Sequence, residues 1–191
     1  MNKELILASG SKTRRKYLEE AGIPFKVIIS DIDEITDKTD LIESLIDISD
    51  KKATSVAENL KKGIVIGIDT NVIIDGESIG KPKDYDEAVK ILNILSGNIN
   101  VAVSGVTILD VETGKKVSFA ESTKVHFRNL DEEEIKWYIS NNEGILASAA
   151  YFYEGKGAAL IEKIEGCYFN VRGLPLSRIL DVLKNEFDYK I

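Results

Sequence analysis

Short apolar runs that alternate with helical stretches constrain the fold of this chain most strongly. Residues 5–8 (Leu-Ile-Leu-Ala) and 63–68 (Gly-Ile-Val-Ile-Gly-Ile) each have the length and apolarity of a buried strand. The first run leads into Ser9-Gly10-Ser11 and then into a helical stretch over residues 12–21, which Gly22 closes. Because strands and helices keep alternating, the sequence predicts an α/β fold with a mixed twisted sheet flanked by helices.

The remaining elements are predicted from the same periodicities and from turn residues. We expect further helices over residues 41–61, 84–95, 131–141 and 175–187. We expect further strands over residues 25–29, 71–74, 101–109, 116–127, 158–164 and 168–171. Asp84 is expected to be an N-cap, and Asp131 with Glu134 is typical of a capping box. No internal repeat interrupts the chain, so residues 1–191 are expected to form a single domain.

The composition excludes several classes of function. One Cys and one His cannot form an intramolecular disulfide or supply a four-ligand zinc site. A formal charge of −7 argues against a general nucleic-acid binder. No apolar run approaches the roughly 18 residues of a membrane helix, and no secretion signal is recognisable. We therefore expect a cytoplasmic protein, in which any catalysis depends on carboxylates, lysines, arginines and hydroxyls, or on a hard metal ion held by oxygens.

Two segments could carry chemistry at the ends of buried strands. Residues 9–16 (Ser-Gly-Ser-Lys-Thr-Arg-Arg-Lys) bring hydroxyls, backbone N–H groups and four cations to a helix N-terminus, which favours a bound phosphate. The alternative is a capping serine followed by a solvated cationic helix face. Asp69 directly follows an apolar run, which would place its carboxylate at the C-terminal edge of the sheet, where α/β sites usually lie. Its alternative role is that of a cap.

Two further segments are weaker candidates. Lys81 is restrained between Gly80 and Pro82, which suits a fixed phosphate contact, although a surface lysine in a turn is the simpler interpretation. Glu34 ends the acidic run at residues 31–34, whose oxygens suit Mg²⁺, although most acidic runs are solvated loops. The single His126 is expected to have a structural or surface role.

In their order along the chain, these segments resemble the Maf family of nucleoside triphosphate pyrophosphatases. The family opening L-A-S-x-S-P-R-R corresponds to residues 7–14, and its G-K-P corresponds to residues 80–82. The other corresponding segments are D-E at 33–34, K-A at 52–53, D-T at 69–70, the S-G block at 96–105, V-x-F-R at 125–128, G-x-G-A at 155–158 and E-G-x-x-x-N-V-x-G-L-P-L at 165–176. The resemblance extends over the whole chain, and its specificity lies in the order and spacing of the motifs.

The resemblance implies a fold, a reaction and a set of site residues. The fold would be Maf/ITPase-like with a cleft between two lobes, and the reaction would be hydrolysis of a nucleoside triphosphate to a monophosphate and pyrophosphate. Asp69 would be the general base, and Lys52 and Lys81 would be catalytic cations. Mg²⁺ or Mn²⁺ would bind Glu34 and Asp69. The substrate would contact Ser9, Ser11, Arg14, Thr70 and Glu154. The family also implies house-cleaning of non-standard nucleotides and a homodimer.

The sequence departs from the family pattern in three of its motifs. Thr13 stands where family members often have the first of two arginines, and Asn100 stands where the S-G block has a histidine. Leu146 and Ala147 stand where the branch acting on dTTP and UTP has Asp and Lys. A nucleotide-binding protein that has lost turnover therefore remains an alternative, as does an interaction protein in cell division, a role that no residue of the chain encodes.

The base specificity stays open at this point. Glu154 stands where the dTTP/UTP branch has Gln and the branch acting on 7-methyl-GTP has Glu. Residues 96–99 also favour the 7-methyl-GTP branch, whereas Thr70 favours the dTTP/UTP branch.

Overall fold

The secondary structure confirms the α/β prediction. The computed structural model describes residues 3–140 and 144–190. Its strands are β1 (Leu5–Leu7), β2 (Lys26–Val27), β3 (Ile64–Ile74), β4 (Glu77–Ile79), β5 (Ile99–Asp110), β6 (Lys116–Phe127) and β7 (Ile161–Glu165). Its α-helices are α1 (Lys12–Glu20), α2 (Leu41–Ala57), α3 (Tyr85–Leu95), α4 (Glu132–Ile139), α5 (Tyr168–Val171) and α6 (Leu176–Phe187). Short 3₁₀ helices lie at Gly144–Leu146, Ser148–Ala150 and Gly155–Leu160.

Within the described residues, seven strands form one mixed sheet. Their order is β2-β1-β3-β5-β6-β7, and β4 pairs with β3 outside that path. Strand β1 runs parallel to both neighbours, with Leu7 opposite Val27 on one side and Ile66 on the other. Strands β4 and β7 pair antiparallel with β3 and β6. None of the helices in this part of the chain combines the length and apolarity that crossing a bilayer requires.

The chain divides into two compact units, each assembled from separate segments. The first unit comprises Met1–Thr70, Ser104–Glu121 and Arg172–Ile191, and the second comprises Asn71–Val103 and Ser122–Val171. A core cluster of the first unit joins β1, α2, β3 and β5 through Ile6, Ala8, Ala53, Val56, Val65 and Leu109. A larger cluster of the second unit joins α3 and α4 to its strands, and it includes Leu92, Leu95, Val125, Phe127, Ile135 and Tyr138. The single domain and the cleft stay predictions.

Helix starts and the long strands agree with the sequence signals. Asp84 caps α3 by accepting a hydrogen bond from Glu87 N at 2.8 Å. Asp131 and Glu134 form the predicted capping box of α4. Strand β6 has the predicted bounds, and β5 extends its predicted range by a few residues. Helix α2 ends earlier than predicted, at Ala57, and β2 is reduced to two residues.

Three predictions of secondary structure were wrong. Strand β3 does not end before Asp69 but continues through Asp69 and Thr70 to Ile74 as one strand. Residues 168–171, predicted as a strand, form helix α5. In this helix the fully buried amide of Asn170 donates to Ala102 O at 3.0 Å and to Thr123 Oγ1 at 3.2 Å. Residues 158–164 likewise begin as a 3₁₀ helix and become strand only at Ile161.

Candidate active site

The turn after β1 builds the predicted helix N-terminus. Ser11 is the N-cap of α1, and its Oγ accepts a hydrogen bond from Arg14 N at 3.3 Å. Ser9 is buried, and its Oγ accepts from Ser11 N at 3.3 Å. Lys12 is exposed, and the exposed Arg15 and Lys16 pair with acids one turn along the helix. Of the four cations in this segment, only Arg14 is therefore buried in the protein.

The Arg14 guanidinium is held by four acceptors of the first unit. Its Nη1 donates to Ser9 Oγ at 2.9 Å and to Ile68 O at 3.1 Å. Its Nη2 donates to Thr70 Oγ1 at 3.0 Å, and its Nε donates to Gly173 O at 2.8 Å. Burial lowers the pKa of Arg14 to about 10, and the negative charges of nearby carboxylates oppose that shift. The guanidinium is therefore a fixed positive charge at neutral pH.

Lys52 joins two carboxylates predicted for the site. Its Nζ lies 2.7 Å from Asp69 Oδ1 and 2.7 Å from Glu34 Oε1. The Lys52 side chain is 9% exposed, Asp69 is 16% exposed and Glu34 is 57% exposed. We call these three residues the Lys52 cluster. Two carboxylates that meet at one ammonium, one half-buried and one open to solvent, form a charged group at the surface of the first unit.

Two glycines allow helix α2 to bring Lys52 to the sheet. A Cβ on Gly67 of β3 would lie 2.1 Å from Ser49 O and 2.8 Å from Ala53 N, both in the α2 backbone. A Cβ on Gly105 of β5 would lie 2.4 Å from Leu45 O. Only residues without a side chain permit this approach. Asp69 lies two residues along β3 from Gly67. The close packing of α2 on β3 therefore allows Lys52, on α2, to contact Asp69.

The donors of the Lys52 cluster suit a hard cation. Glu34 and Asp69 supply carboxylate oxygens, and the ion pairs of both with the Lys52 ammonium bring the two carboxylates close together. Mg²⁺ is commonly bound by one or two carboxylates, with waters and substrate phosphates completing its shell. Across residues 3–140 and 144–190, no three His, Cys, Asp or Glu side chains gather at one point. The two carboxylates thus fit a site in which waters and substrate phosphates supply the other ligands of the metal ion, rather than a site formed by protein ligands alone.

The second unit holds the other two residues predicted for the site. Lys81 is exposed in the segment between β4 and α3. Its position is restrained on both sides, because Gly80 O accepts from Ala149 N at 2.9 Å and Pro82 is buried. Glu154 is half-buried and begins the 3₁₀ helix at Gly155–Leu160 as its N-cap.

The departures from the family pattern have structural explanations in part. Asn100 is fully buried and accepts a hydrogen bond from Tyr151 Oη at 3.0 Å, so it forms a polar pair in the core. Ala147 is buried, at 4% exposure, so the place of the family lysine is filled by a small apolar side chain. His126 is half-buried, with Nε2 3.2 Å from Glu165 Oε1, which agrees with a structural role.

Two residues around Arg14 and Thr70 were not indicated by the sequence. Ser104 is fully buried and its Oγ lies 2.8 Å from Thr70 Oγ1. Gly173 offers only its carbonyl oxygen to Arg14 Nε. Both residues belong to segments that carry the resemblance, but nothing in their identity predicts that Ser104 contacts Thr70 or that Gly173 contacts Arg14.

Known proteins of similar sequence agree with the resemblance to the Maf family. The sequence model of a family described as "Maf-like protein" matches residues 4–186. A dTTP/UTP pyrophosphatase of Thermoanaerobacter sp. (strain X514) is 44% identical over 189 residues, which are 98% of this chain and 99% of that protein. A dTTP/UTP pyrophosphatase of Caldanaerobacter subterraneus subsp. tengcongensis is 39% identical over 188 residues, with 98% and 91% covered. One of Bacillus cereus (strain G9842) is 39% identical over 193 residues, with 99% and 98% covered.

Proposed function

Because the chain belongs to the family of Maf-like proteins, we propose that it is a nucleoside triphosphate pyrophosphatase acting on dTTP and UTP. It cleaves the anhydride between the α- and β-phosphates, and it releases a nucleoside monophosphate and pyrophosphate. The observation that supports this proposal most directly is the Lys52 cluster, in which a buried ammonium lies within 2.7 Å of two carboxylates. The pyrimidine substrates are inferred from the names of its relatives.

In the proposed reaction, Asp69 is the general base. Lys52 donates to Asp69 Oδ1 at 2.7 Å, so Oδ2 is the oxygen that takes a proton from the attacking water. The water oxygen forms a bond to the α-phosphorus, and the bond from that phosphorus to the bridging oxygen breaks. The electron pair of that bond leaves with pyrophosphate. Lys52 neutralises the charge that develops on the leaving group, and the same role for Lys81 is what the family resemblance implies.

The substrate carries about four negative charges, so its binding requires fixed positive charge. We assign this role to the N-terminus of α1, where Ser9, Ser11 and Arg14 combine hydroxyls and a buried guanidinium. The contact of Glu154 with the nucleoside rests on the family resemblance. Glu154 could accept hydrogen bonds from the N–H groups of a base.

A divalent cation, Mg²⁺ or Mn²⁺, is part of the proposal, and Glu34 with Asp69 would hold it. When bound, it supplies neutralisation of phosphate charge. The roles of Asp69 and Lys52 described above are those of their own side chains and do not depend on a step through the metal ion. A cytoplasmic location and a homodimer also stay predictions.

The decisive experiment is a nucleotide panel containing dTTP, UTP and 7-methyl-GTP, assayed with Mg²⁺ or Mn²⁺ for both the monophosphate and pyrophosphate. We expect turnover of dTTP and UTP by the wild-type chain. We expect kcat to fall about 10²–10⁴-fold for Asp69→Asn, the range that general-base catalysis contributes. Full activity of Asp69→Asn would refute its role as the base.

The buried Ala147 in place of the family lysine gives the competing proposal, a nucleotide-binding protein without turnover. Isothermal titration calorimetry with the same nucleotides separates the two. Binding of dTTP without release of pyrophosphate from any member of the panel would favour the competing proposal. Turnover of 7-methyl-GTP alone would retain the reaction but replace the proposed substrates, and Glu154 would then be the first residue to test.

A further inference from the structure

Arg14 contacts the chain immediately before and immediately after Asp69. Its Nη1 donates to the carbonyl oxygen of Ile68 at 3.1 Å, and its Nη2 donates to the hydroxyl of Thr70 at 3.0 Å. One planar guanidinium therefore holds both neighbours of Asp69, and we call these two hydrogen bonds the bracket. The five N–H donors of an arginine have a rigid geometry, so two acceptors held this way are fixed relative to each other.

The position of these contacts in the sheet explains why they are needed. Strand β1 pairs with β3 only as far as Leu7 opposite Ile66, and the last backbone bond on this side is Ala8 N to Ile66 O at 2.9 Å. Beyond that point β3 has lost this neighbour, and Arg14 supplies the donor for Ile68 O. Asp69 thus lies on a strand segment whose support on this side comes from a side chain.

The guanidinium is itself held in place from two other directions. Nη1 also donates to the buried Ser9 Oγ at 2.9 Å, and Nε donates to Gly173 O at 2.8 Å. On the far side of Thr70, Ser104 Oγ lies 2.8 Å from Thr70 Oγ1. With four N–H donors used by the protein, Arg14 is built into the fold in a way that Lys12, Arg15 and Lys16 are not.

We propose that Arg14 is a positioning residue for Asp69, and that the Thr70 hydroxyl serves this bracket rather than the nucleoside. The role given to Asp69 rests on the proposed function, whereas the bracket does not. Arg14 keeps the Asp69 carboxylate at the distance from Lys52 that the structure shows, 2.7 Å. Its charge also contributes to the phosphate site, so the test must separate charge from geometry.

Arg14→Lys makes that separation, because it keeps the positive charge and loses the planar fork. We expect kcat for dTTP to fall about tenfold to 10²-fold, as for a small misplacement of a reacting group. We expect KM for dTTP to change by less than about twofold, because the charge remains. A rise in KM with kcat unchanged would instead show that the Arg14 fork binds the phosphates directly, and would overturn the proposal.

Thr70 provides a second perturbation with a matched control. Thr70→Val keeps the side-chain shape but removes the hydroxyl that accepts from Arg14, and Thr70→Ser keeps the hydroxyl. We expect Thr70→Val to reproduce the kcat loss of Arg14→Lys, and Thr70→Ser to restore wild-type kcat to within about twofold. We expect the double variant Arg14→Lys/Thr70→Val to be no worse than the poorer single variant, because the two residues act as one unit. A nucleoside contact by Thr70 would appear as a change in KM and in the ratio of dTTP to UTP turnover, which would overturn its assignment to the bracket.

The carboxyl-carbon NMR resonance of Asp69, identified by its loss in Asp69→Asn, tests the bracket without turnover. We expect this resonance to shift in Arg14→Lys and in Thr70→Val, and to stay at its wild-type position in Thr70→Ser. An unchanged resonance in both Arg14→Lys and Thr70→Val would overturn the proposal. If the wild-type chain hydrolyses no nucleotide of the panel, the proposed function fails, and this spectrum still decides whether Arg14 positions Asp69.

Discussion

The contact between α2 and β3 gives a sharp prediction for Gly67→Ala. The added Cβ would lie 2.1 Å from Ser49 O and 2.8 Å from Ala53 N. Both atoms belong to the helix backbone, so no rotation of a side chain can relieve the contact. Ordinary contacts of a Cβ begin at 3.4 Å, which means that α2 must move away from the sheet by roughly 1 Å.

The expected cost follows from that displacement. Overpacking of a close-packed interior costs about 1–3 kcal/mol, and a backbone contact this short corresponds to the upper end of that range. A gain of about 0.4–1 kcal/mol from lower entropy of the unfolded chain offsets it only in part. For a chain of this size, a net loss of about 2 kcal/mol lowers Tm by roughly 4–8 °C. Because Lys52 moves with α2, we expect kcat for dTTP to fall about 10²-fold.

Urea unfolding and steady-state hydrolysis of dTTP measure the two effects. Gly80→Ala is the control for stability, because a Cβ there has no heavy atom within 4 Å and the residue does not have a positive φ. We expect Gly80→Ala to unfold at or slightly above the wild-type urea concentration. If Gly67→Ala has the wild-type unfolding free energy and the wild-type kcat, then the close packing of α2 is not what brings Lys52 to Asp69.

Two other predictions concern stability alone. Tyr151→Phe leaves the buried Asn100 Oδ1 without the hydroxyl that donates to it at 3.0 Å. We therefore expect the free energy of unfolding measured in urea to fall by about 1–3 kcal/mol. Wild-type stability would mean that water replaces the hydroxyl. Burial acts to raise the pKa of Asp110, but hydrogen bonds from Lys3 and Glu112 N outweigh it, so the pKa is lowered overall. The stability that ionised Asp110 contributes is therefore present above the ordinary carboxyl pKa and is lost as pH falls through its lower folded-state pKa. Thermal unfolding should show Asp110→Asn less stable than wild type at pH 7, with the difference shrinking in acid, and a difference that does not depend on pH would contradict this account.

The elements that sequence analysis predicted well are those set by neighbouring residues. The capping box of Asp131 and Glu134 lies within four consecutive residues, and the N-cap of α3 needs only Asp84 and Glu87. The bounds of β6 follow from alternation within the strand itself. Such signals are local, because a cap or a pleat is completed by residues a few positions away. The order of the motifs along the chain was sufficient to indicate the family, and the family comparison agrees with it.

The sequence predicted the site residues as separate segments, and the tertiary structure decided their relations. Nothing local shows that Lys52, on a helix, reaches both Glu34 and Asp69, because that contact depends on the approach allowed by Gly67. In the helix that replaces the predicted strand at residues 168–171, the buried amide of Asn170 likewise finds its partners far along the chain.

Arg14 shows most clearly what each level determines. By sequence it is one of four neighbouring cations, and its charge alone predicts attraction for phosphate. Its burial is decided by acceptors from two distant parts of the chain, Ile68 and Thr70 in β3 and Gly173 before α6. The amino-acid sequence specifies which residue types are available for chemistry. Which of the cations is held beside Asp69 depends on the fold, because a buried charge is stable only where the fold supplies its hydrogen-bond partners.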